Sequence, residues 1–294
     1  MNVFTIRDIE NLCGIKAHTL RVWEQRYQLH IPKRKASNHR LYDDEDLKRL
    51  LRIAFLYRNG HKISHLARLS EEEVCRLAMK VPQSGGADDI FINHLVEAAL
   101  DFDQDLFDRV LHNIVLHMGL EKAVPQVIYP FLHKIGLLWL TGNVVPAQEH
   151  FASSLIIKKL LVAINGLENP PAPRPGERNI LLFTPKGELH EIPLLYMRYL
   201  LKKNGQPAVY FGRDIDLEEL RRYCREKPVT HLYFHLITHL QRYEPGQYLE
   251  KLREAFPTLQ IVISGQIGQS FPDHYPQVRI LKSWEEMGAF VKDQ

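Results

Sequence analysis

The sequence predicts a multidomain chain of α and α/β class: a winged helix-turn-helix, then a four-helix bundle, then a Rossmann-like (flavodoxin-like) parallel sheet. Three observations predict it. Two short helical patterns meet at Cys13-Gly14-Ile15 and lead into a basic loop. From Asp89 to Gly166 apolar residues recur at helical spacing throughout. After Asn169–Gly176, which holds four prolines in six residues (170–175), short apolar runs alternate with helical patterns. These breaks set domains at 1–75, 88–168 and 178–294.

In the first domain Thr5 is placed to cap a short helix. The second helix, from about Lys16, carries Leu20, Trp23 and Tyr27 at i, i+3, i+7, which gives it a core face, while Arg21 and Arg26 point elsewhere. Gly14 frees the turn between the two helices. The following stretch, Ile31 to Tyr42, is a basic loop ending in a strand-like piece. Between Lys16 and Tyr42 stand seven Lys/Arg against one acid, Glu24. That density suits phosphate neutralisation and a salt-sensitive affinity for DNA. Asp43–Asp46 then load acid onto a helix start, where the dipole favours it. Leu47, Leu50, Leu51 and Ala54 share one face of that helix, Gly60 ends it, and Ile63, Leu66 and Leu69 mark a shorter helix. Glu71-Glu72-Glu73 begins another, and Pro82–Gly86 reads as a linker.

The bundle shows Ile92, Leu95, Val96 and Leu100 on one helix and Phe107, Leu111, Ile114 and Met118 on a second. Val127, Phe131 and Ile135 lie on a third, and Phe151 to Leu160 on a fourth. His112 and His117, five residues apart, are turned roughly 140° from each other and do not face one ion. They read as partly exposed helix histidines.

In the last domain Asn179–Phe183, Ala208–Phe211, His231–Phe234, Leu259–Ser264 and Arg279–Leu281 read as strands. Pro193–Lys203 and Leu217–Arg225 read as helices between them. Ligands of such a doubly wound sheet bind at the carboxyl ends of its strands. There is no GxGxxG, Walker A or GxSxG motif, so dinucleotide, NTP and α/β-hydrolase chemistry lack support. Just after the first strand, His190 follows Glu188 by two residues, a spacing that lets the acid fix the imidazole tautomer for a metal or cofactor.

Across the 294 residues the net charge is only +3, so any basic surface is local. Cys13, Cys75 and Cys224 lie far apart, which argues for a reducing cytoplasm, against a disulfide framework and against a thiolate metal sensor. No signal peptide or apolar run of membrane-spanning length is seen, and the expected location is the cytoplasm.

The run Thr5-Ile6, Gly14-Ile15, Thr19-Leu20-Arg21-Val22-Trp23-Glu24 and Arg40-Leu41-Tyr42 resembles the MerR-type winged helix-turn-helix regulators. The resemblance implies that the helix from Lys16 enters the major groove and that Lys33–Arg40 is the wing. DNA contacts would come from Lys16, His18, Thr19, Arg21, Arg26, Lys33, Arg34, Arg40 and Tyr42. Lys16 stands where a Ser often caps that helix. Further along, Trp139 with Glu149-His150, and Glu188-Leu189-His190, resemble the cobalamin-binding MerR-type regulators, the CarH/CarA/LitR photoreceptor family, in the same domain order. By that resemblance His190 ligates the cobalt of cobalamin (adenosylcobalamin or methylcobalamin) and Glu188 orients it. Trp139, Glu149 and His150 would contact the upper ligand, and Leu236 and Gly265 would line the tail pocket.

Four positions depart from the family pattern. Pro193 replaces a glycine beside the nucleotide tail. The Ser of Ser-x-Leu is replaced, whether the motif is read as Phe234-His235-Leu236 or as His235-Leu236-Ile237. Gly-Gly has become Ser264-Gly265, and Leu140 stands where light-sensing members carry a second histidine.

The expected function is a DNA-binding transcriptional regulator, a repressor, whose cobalamin-binding half controls oligomerisation and operator binding. Its expected partners are double-stranded operator DNA, further copies of itself as dimer or tetramer, and a protein antirepressor. Alternatives are a ligand-independent regulator with a degenerate interaction module, and a corrinoid enzyme such as a methyltransferase or mutase.

Overall fold

The computed structural model describes residues 4–13, 15–29, 33–34, 40–58, 60–80, 87–140, 144–174, 176–237, 245–265 and 275–293. The chain divides into two compact units, 1–155 and 156–294. Gly14, most of the loop expected to be the wing, and the Pro82–Gly86 linker lie outside the described residues.

The first unit opens with α1 (Ile6–Cys13) and α2 (Ala17–Tyr27), followed by the two-stranded β1 (Lys33–Arg34) and β2 (Arg40–Leu41), paired antiparallel. Ile9, Cys13, Leu20, Trp23 and Leu29 are buried at the centre of this small domain. No Lys16 side-chain bond caps α2. Glu10 of α1 does so instead: its carboxylate accepts from the Ala17 N–H at 3.1 Å and pairs with Lys16 at 3.0 Å, and these bonds hold its carboxyl below the usual range. Next come α3 (Asp44–Arg58), α4 (Ile63–Leu66) and α5 (Glu71–Lys80). Leu47, Leu50, Leu51 and Ala54 are buried, as their spacing predicted, but so are Ile53 and Leu56. The core therefore meets α3 on more than one face.

Part of that surface meets the bundle. Lys48, only 6 % exposed, reaches both Asp101 oxygens at 2.5 and 2.6 Å and Glu45 at 3.1 Å. Arg52 bridges Glu71 and Glu97. The bundle comprises α6 (Ala87–Leu100), α7 (Gln104–Met118), α8 (Leu120–Ala123), a π-helical turn (Val124–Ile128), α9 (Tyr129–Leu140) and α10 (Pro146–Asn165). Asp103 caps α7 by accepting from the Leu106 N–H at 2.9 Å, and Gly119 ends it at φ +72°. The expected third helix is the run from α8 through α9. Its π turn contains Pro125, which has no N–H to donate. Val124, Val127, Ile128, Phe131, Ile135 and Leu138 are all buried. Phe107 packs edge-on against Phe131 and Phe151, at 5.6 and 6.1 Å between ring centroids, and so ties three helices together. His112 and His117 are exposed.

The second unit holds a five-stranded parallel sheet in the order β4-β3-β5-β6-β7, the flavodoxin-like order. The strands are β3 (Ile180–Pro185), β4 (Ala208–Ile215), β5 (His231–His235), β6 (Gln260–Ser264) and β7 (Val278–Leu281). The helices are α11 (Ile192–Lys203), α12 (Leu217–Glu226), α13 (Pro245–Ala255) and α14 (Trp284–Phe290). Every residue of β3 is buried, as a central parallel strand covered on both faces requires. Leu181, Phe183, Leu232, Phe234, Leu236, Ile261 and Ile263 form one core with Leu220 of α12 and Leu249 and Leu252 of α13. Tyr233 stacks on Phe290 of α14 and so faces the other layer. Asp216 and Glu219 make a complete capping box on α12. Among the described residues no helix is long and apolar enough to cross a membrane.

Candidate DNA and ligand sites

Helix α2 presents one side to the core, through Leu20 and Trp23, and leaves His18, Arg21, Gln25 and Arg26 exposed. Lys16 is exposed beside them and engaged by Glu10, and Thr19 is half-buried with its hydroxyl 3.3 Å from His18 Nε2. Glu24, the one acid of this stretch, turns inward. It takes a 2.5 Å bond from Arg40 Nε and a short one from the Tyr42 hydroxyl. Tyr42 is 2 % exposed, and burial, with the Glu24 carboxylate, pushes its phenol far up. This corrects the assignment of Tyr42 as a DNA contact: its side chain belongs to the core of the small domain. Arg40 keeps a partly exposed guanidinium, positioned by Glu24. The side chains of Lys33 and Arg34 lie outside the described residues.

In the bundle, Gln148 lies in the first turn of α10. It accepts from the Val145 N–H at 3.0 Å and donates to the Leu100 carbonyl at 2.7 Å. The next residues, Glu149 and His150, lie in the first turn of α10. Glu149 accepts from the Ser153 hydroxyl at 2.6 Å and stands 3.5 Å from the exposed His150 ring. Trp139 falls in the last turn of α9, and its side chain, like that of Leu140, lies outside the described residues.

The sheet carries the better-defined constellation. Strand order reverses between β3 and β5, the switch point at which sheets of this kind bind their ligands. Glu188 spans it. The residue is fully buried; Oε1 accepts from the His190 N–H at 3.0 Å and contacts His190 Nδ1 at 2.6 Å, and Oε2 accepts from the Ile237 N–H at 2.8 Å. Its own carbonyl accepts from the Thr184 hydroxyl at 2.6 Å. A buried carboxylate that accepts two backbone N–H bonds suits the ionised form. Having no proton to give, it assigns the hydrogen to Nδ1 and leaves Nε2 of the half-exposed His190 ring as the donor nitrogen. One imidazole presented this way suits a metal whose other ligands come from a macrocycle.

Beyond Ile237 the ends of β5 and β6 close on each other. The Leu236 N–H donates to the Ser264 carbonyl at 3.0 Å. Ser264 Oγ lies 2.5 Å from the Tyr233 hydroxyl and 2.7 Å from His235 Nδ1, and all three side chains are buried. Burial pulls the His235 imidazole down to about 4, so it is neutral at ordinary pH. Gly265 sits at φ +100°, and a Cβ there would stand 2.4 Å from the Leu236 carbonyl oxygen and 3.0 Å from His235 Nε2. Leu236 is fully buried in the core shared with α12 and α13. Tested against a corrinoid, the donor pair fits cobalt, whereas among the described residues the ends of β5 and β6 are closed on each other by Leu236, Ser264, Tyr233 and His235.

Sequence reasoning missed Glu10, the inward role of Glu24, Ile237 and the Tyr233–Ser264–His235 cluster. A signal existed for the last: Tyr233 and His235 are two residues apart on one strand face, and His235 pairs in register with Ser264.

Two family descriptions match the chain. "MerR HTH family regulatory protein" spans residues 4–73, and "B12 binding domain" spans 91–163, the stretch of α6 to α10. The chain thus carries a MerR-type helix-turn-helix region at residues 4–73 and a B12-binding region at 91–163. It is homologous to the HTH-type transcriptional repressor CarH of Myxococcus xanthus, 26% identical over 225 residues, 74% of each chain. It is likewise homologous to the repressor CarA of the same organism, 27% identical over 221 residues, 74% of this chain and 71% of CarA. Among solved structures the fold is shared with the monomethylamine corrinoid protein of Methanosarcina barkeri, at TM-score 0.54 and 13% identity, over 70% of this chain and 99% of that one.

Proposed function

We propose that the protein is a cytoplasmic transcriptional repressor whose B12-binding half controls its oligomeric state and thereby its hold on operator DNA. The functional segments are 1–75 for DNA, with 88–168 and 178–294 for the ligand. Lys16, His18, Thr19, Arg21 and Arg26 of α2 contact the duplex, with Lys33, Arg34 and Arg40 from the wing. Trp139, Glu149 and His150 serve the upper ligand face, His190 is the cobalt ligand, and Gly265 shapes the loop beneath. We read no catalytic role.

The observation that carries this reading is His190, held by a buried Glu188 at the switch point of a chain whose α2 exposes Arg21 and Arg26. One small winged domain makes few contacts, so tight binding calls for two or more copies on adjacent half-sites. A bound corrinoid would supply an axial coordination position and apolar surface. The protein's part is to orient His190 and to favour one assembly over another, with leverage set by the difference in affinity between the two.

The test is dark reconstitution of the purified chain with corrinoid, then gel filtration and binding to duplexes enriched from a random-sequence pool. Corrin colour co-eluting with a size change and tighter DNA binding is the expected result. Colourless protein of unchanged size that still selects DNA would favour the second reading, a ligand-independent regulator whose sheet half docks a protein antirepressor, for which the closed β5–β6 crevice speaks.

A further inference from the structure

We infer that the sheet site is built for an incomplete corrinoid, one without the lower nucleotide base, in preference to complete cobalamin; this rests on the corrinoid reading above. A corrin ring fills four positions around cobalt and leaves two axial ones. In complete cobalamin the lower position belongs to a benzimidazole tethered to the ring edge. If His190 Nε2 takes that position, the displaced base stays on the same face of the ring, the face turned to the sheet. It must then find a slot among the strand ends or hang in solvent.

The described strand ends offer it none. The switch-point crevice is bridged by Glu188 and Ile237. The next gap, between β5 and β6, is closed along the backbone by Leu236 and Ser264 and filled by the side chains of Tyr233, His235 and Ser264. On the helix side, Tyr233 stacks on Phe290, and Tyr196 of α11 meets Trp284 of α14 edge-on at 5.7 Å. Pro193, buried in the first turn of α11, adds bulk where that helix begins. A base entering here would have to part His235 and Tyr233 from Ser264 and expel a buried imidazole. Both steps leave polar groups unsatisfied in a dry interior. An incomplete corrinoid presents its cobalt to His190 with none of this rearrangement.

The test compares aquacobinamide with aquacobalamin on the full-length wild-type chain in the dark, by titration at neutral pH read from the corrin absorption spectrum and confirmed by co-elution. Cobinamide is expected to bind at least about tenfold more tightly, with an imidazole-ligated spectrum that His190→Ala abolishes. In His235→Ala, checked for native melting, the affinity for cobalamin should rise toward that for cobinamide while the latter stays unchanged. Equal affinities in the wild type, with cobalamin bound base-off, would overturn the inference and leave the corrinoid-gated function standing. Failure of both corrinoids to bind would overturn the two together.

Discussion

Replacing Glu188 by Gln removes one charge from the cluster it forms with His190 and Ile237 and changes almost nothing in size. The wild-type carboxylate serves the His190 N–H, His190 Nδ1 and the Ile237 N–H with two oxygens. Gln has one oxygen and an NH2. Whichever way the amide turns, its NH2 meets an N–H where an acceptor stood. At least one buried donor is therefore left unsatisfied, which destabilises the sheet unit by about 1–3 kcal/mol. With Nδ1 no longer fixed, His190 loses its preferred tautomer and orientation. Loss of such a partner weakens metal affinity by about 10–100-fold, equivalent to about 1.4–2.7 kcal/mol. Urea denaturation measures the first effect and cobinamide titration the second, with His190→Ala as the reference for complete loss. A Glu188→Gln protein that binds cobinamide as tightly as wild type would refute the orienting role, and an unchanged denaturation midpoint would also refute the buried three-donor bond.

Arg21→Ala should weaken binding of the enriched duplex and leave the gel-filtration size unaltered; if Arg21 touches a phosphate, the log–log salt slope should fall by about 0.9. An unaltered affinity would remove Arg21 from the interface. Lys48→Met leaves Asp101 without its buried partner, but Asp101 is half exposed and regains water. The first unit should lose about 1–2 kcal/mol in denaturation, and no change would show that the pair does not matter to stability. His235 has a folded value of about 4 against an ordinary 6.5. The depressed value means that stability from this group is complete above pH 6.5 and is lost as pH falls toward 4, about 2 kcal/mol by pH 5. Denaturation of wild type and His235→Gln at pH 7 and 5 checks this: the variant should show the smaller loss.

Periodicity made most of the architecture legible. The strands of the sheet are β-branched or aromatic runs between turn signals, and parallel burial leaves such runs almost wholly apolar, so each was found within a few residues of its observed ends. Cation density placed α2, and Glu188 with His190 stood out because two residues is the reach of a carboxylate back to an imidazole. What stayed hidden depends on pairs distant in the chain. Glu24 looked like a lone acid in a basic stretch, and its acceptance of Arg40 and Tyr42 needs the β1–β2 ribbon folded back on α2. Ile237 contributes only a backbone N–H, which side-chain chemistry cannot announce. The motif points to Tyr42 as a DNA contact, whereas tertiary packing buries its side chain.

The π turn at Val124–Ile128 holds one residue more than regular winding would. A helix advances about 100° per residue, but the wider turn absorbs its extra residue, and Phe131, Ile135 and Leu138 beyond it lie on the buried face. Loss of one residue within this turn should therefore tighten it to regular α-helix and leave these three side chains on the core. The same loss from the regular winding of α9 would swing the residues after it about a quarter-turn off that face. Val124–Ile128 is thus a place where this helix can change its length without changing its face.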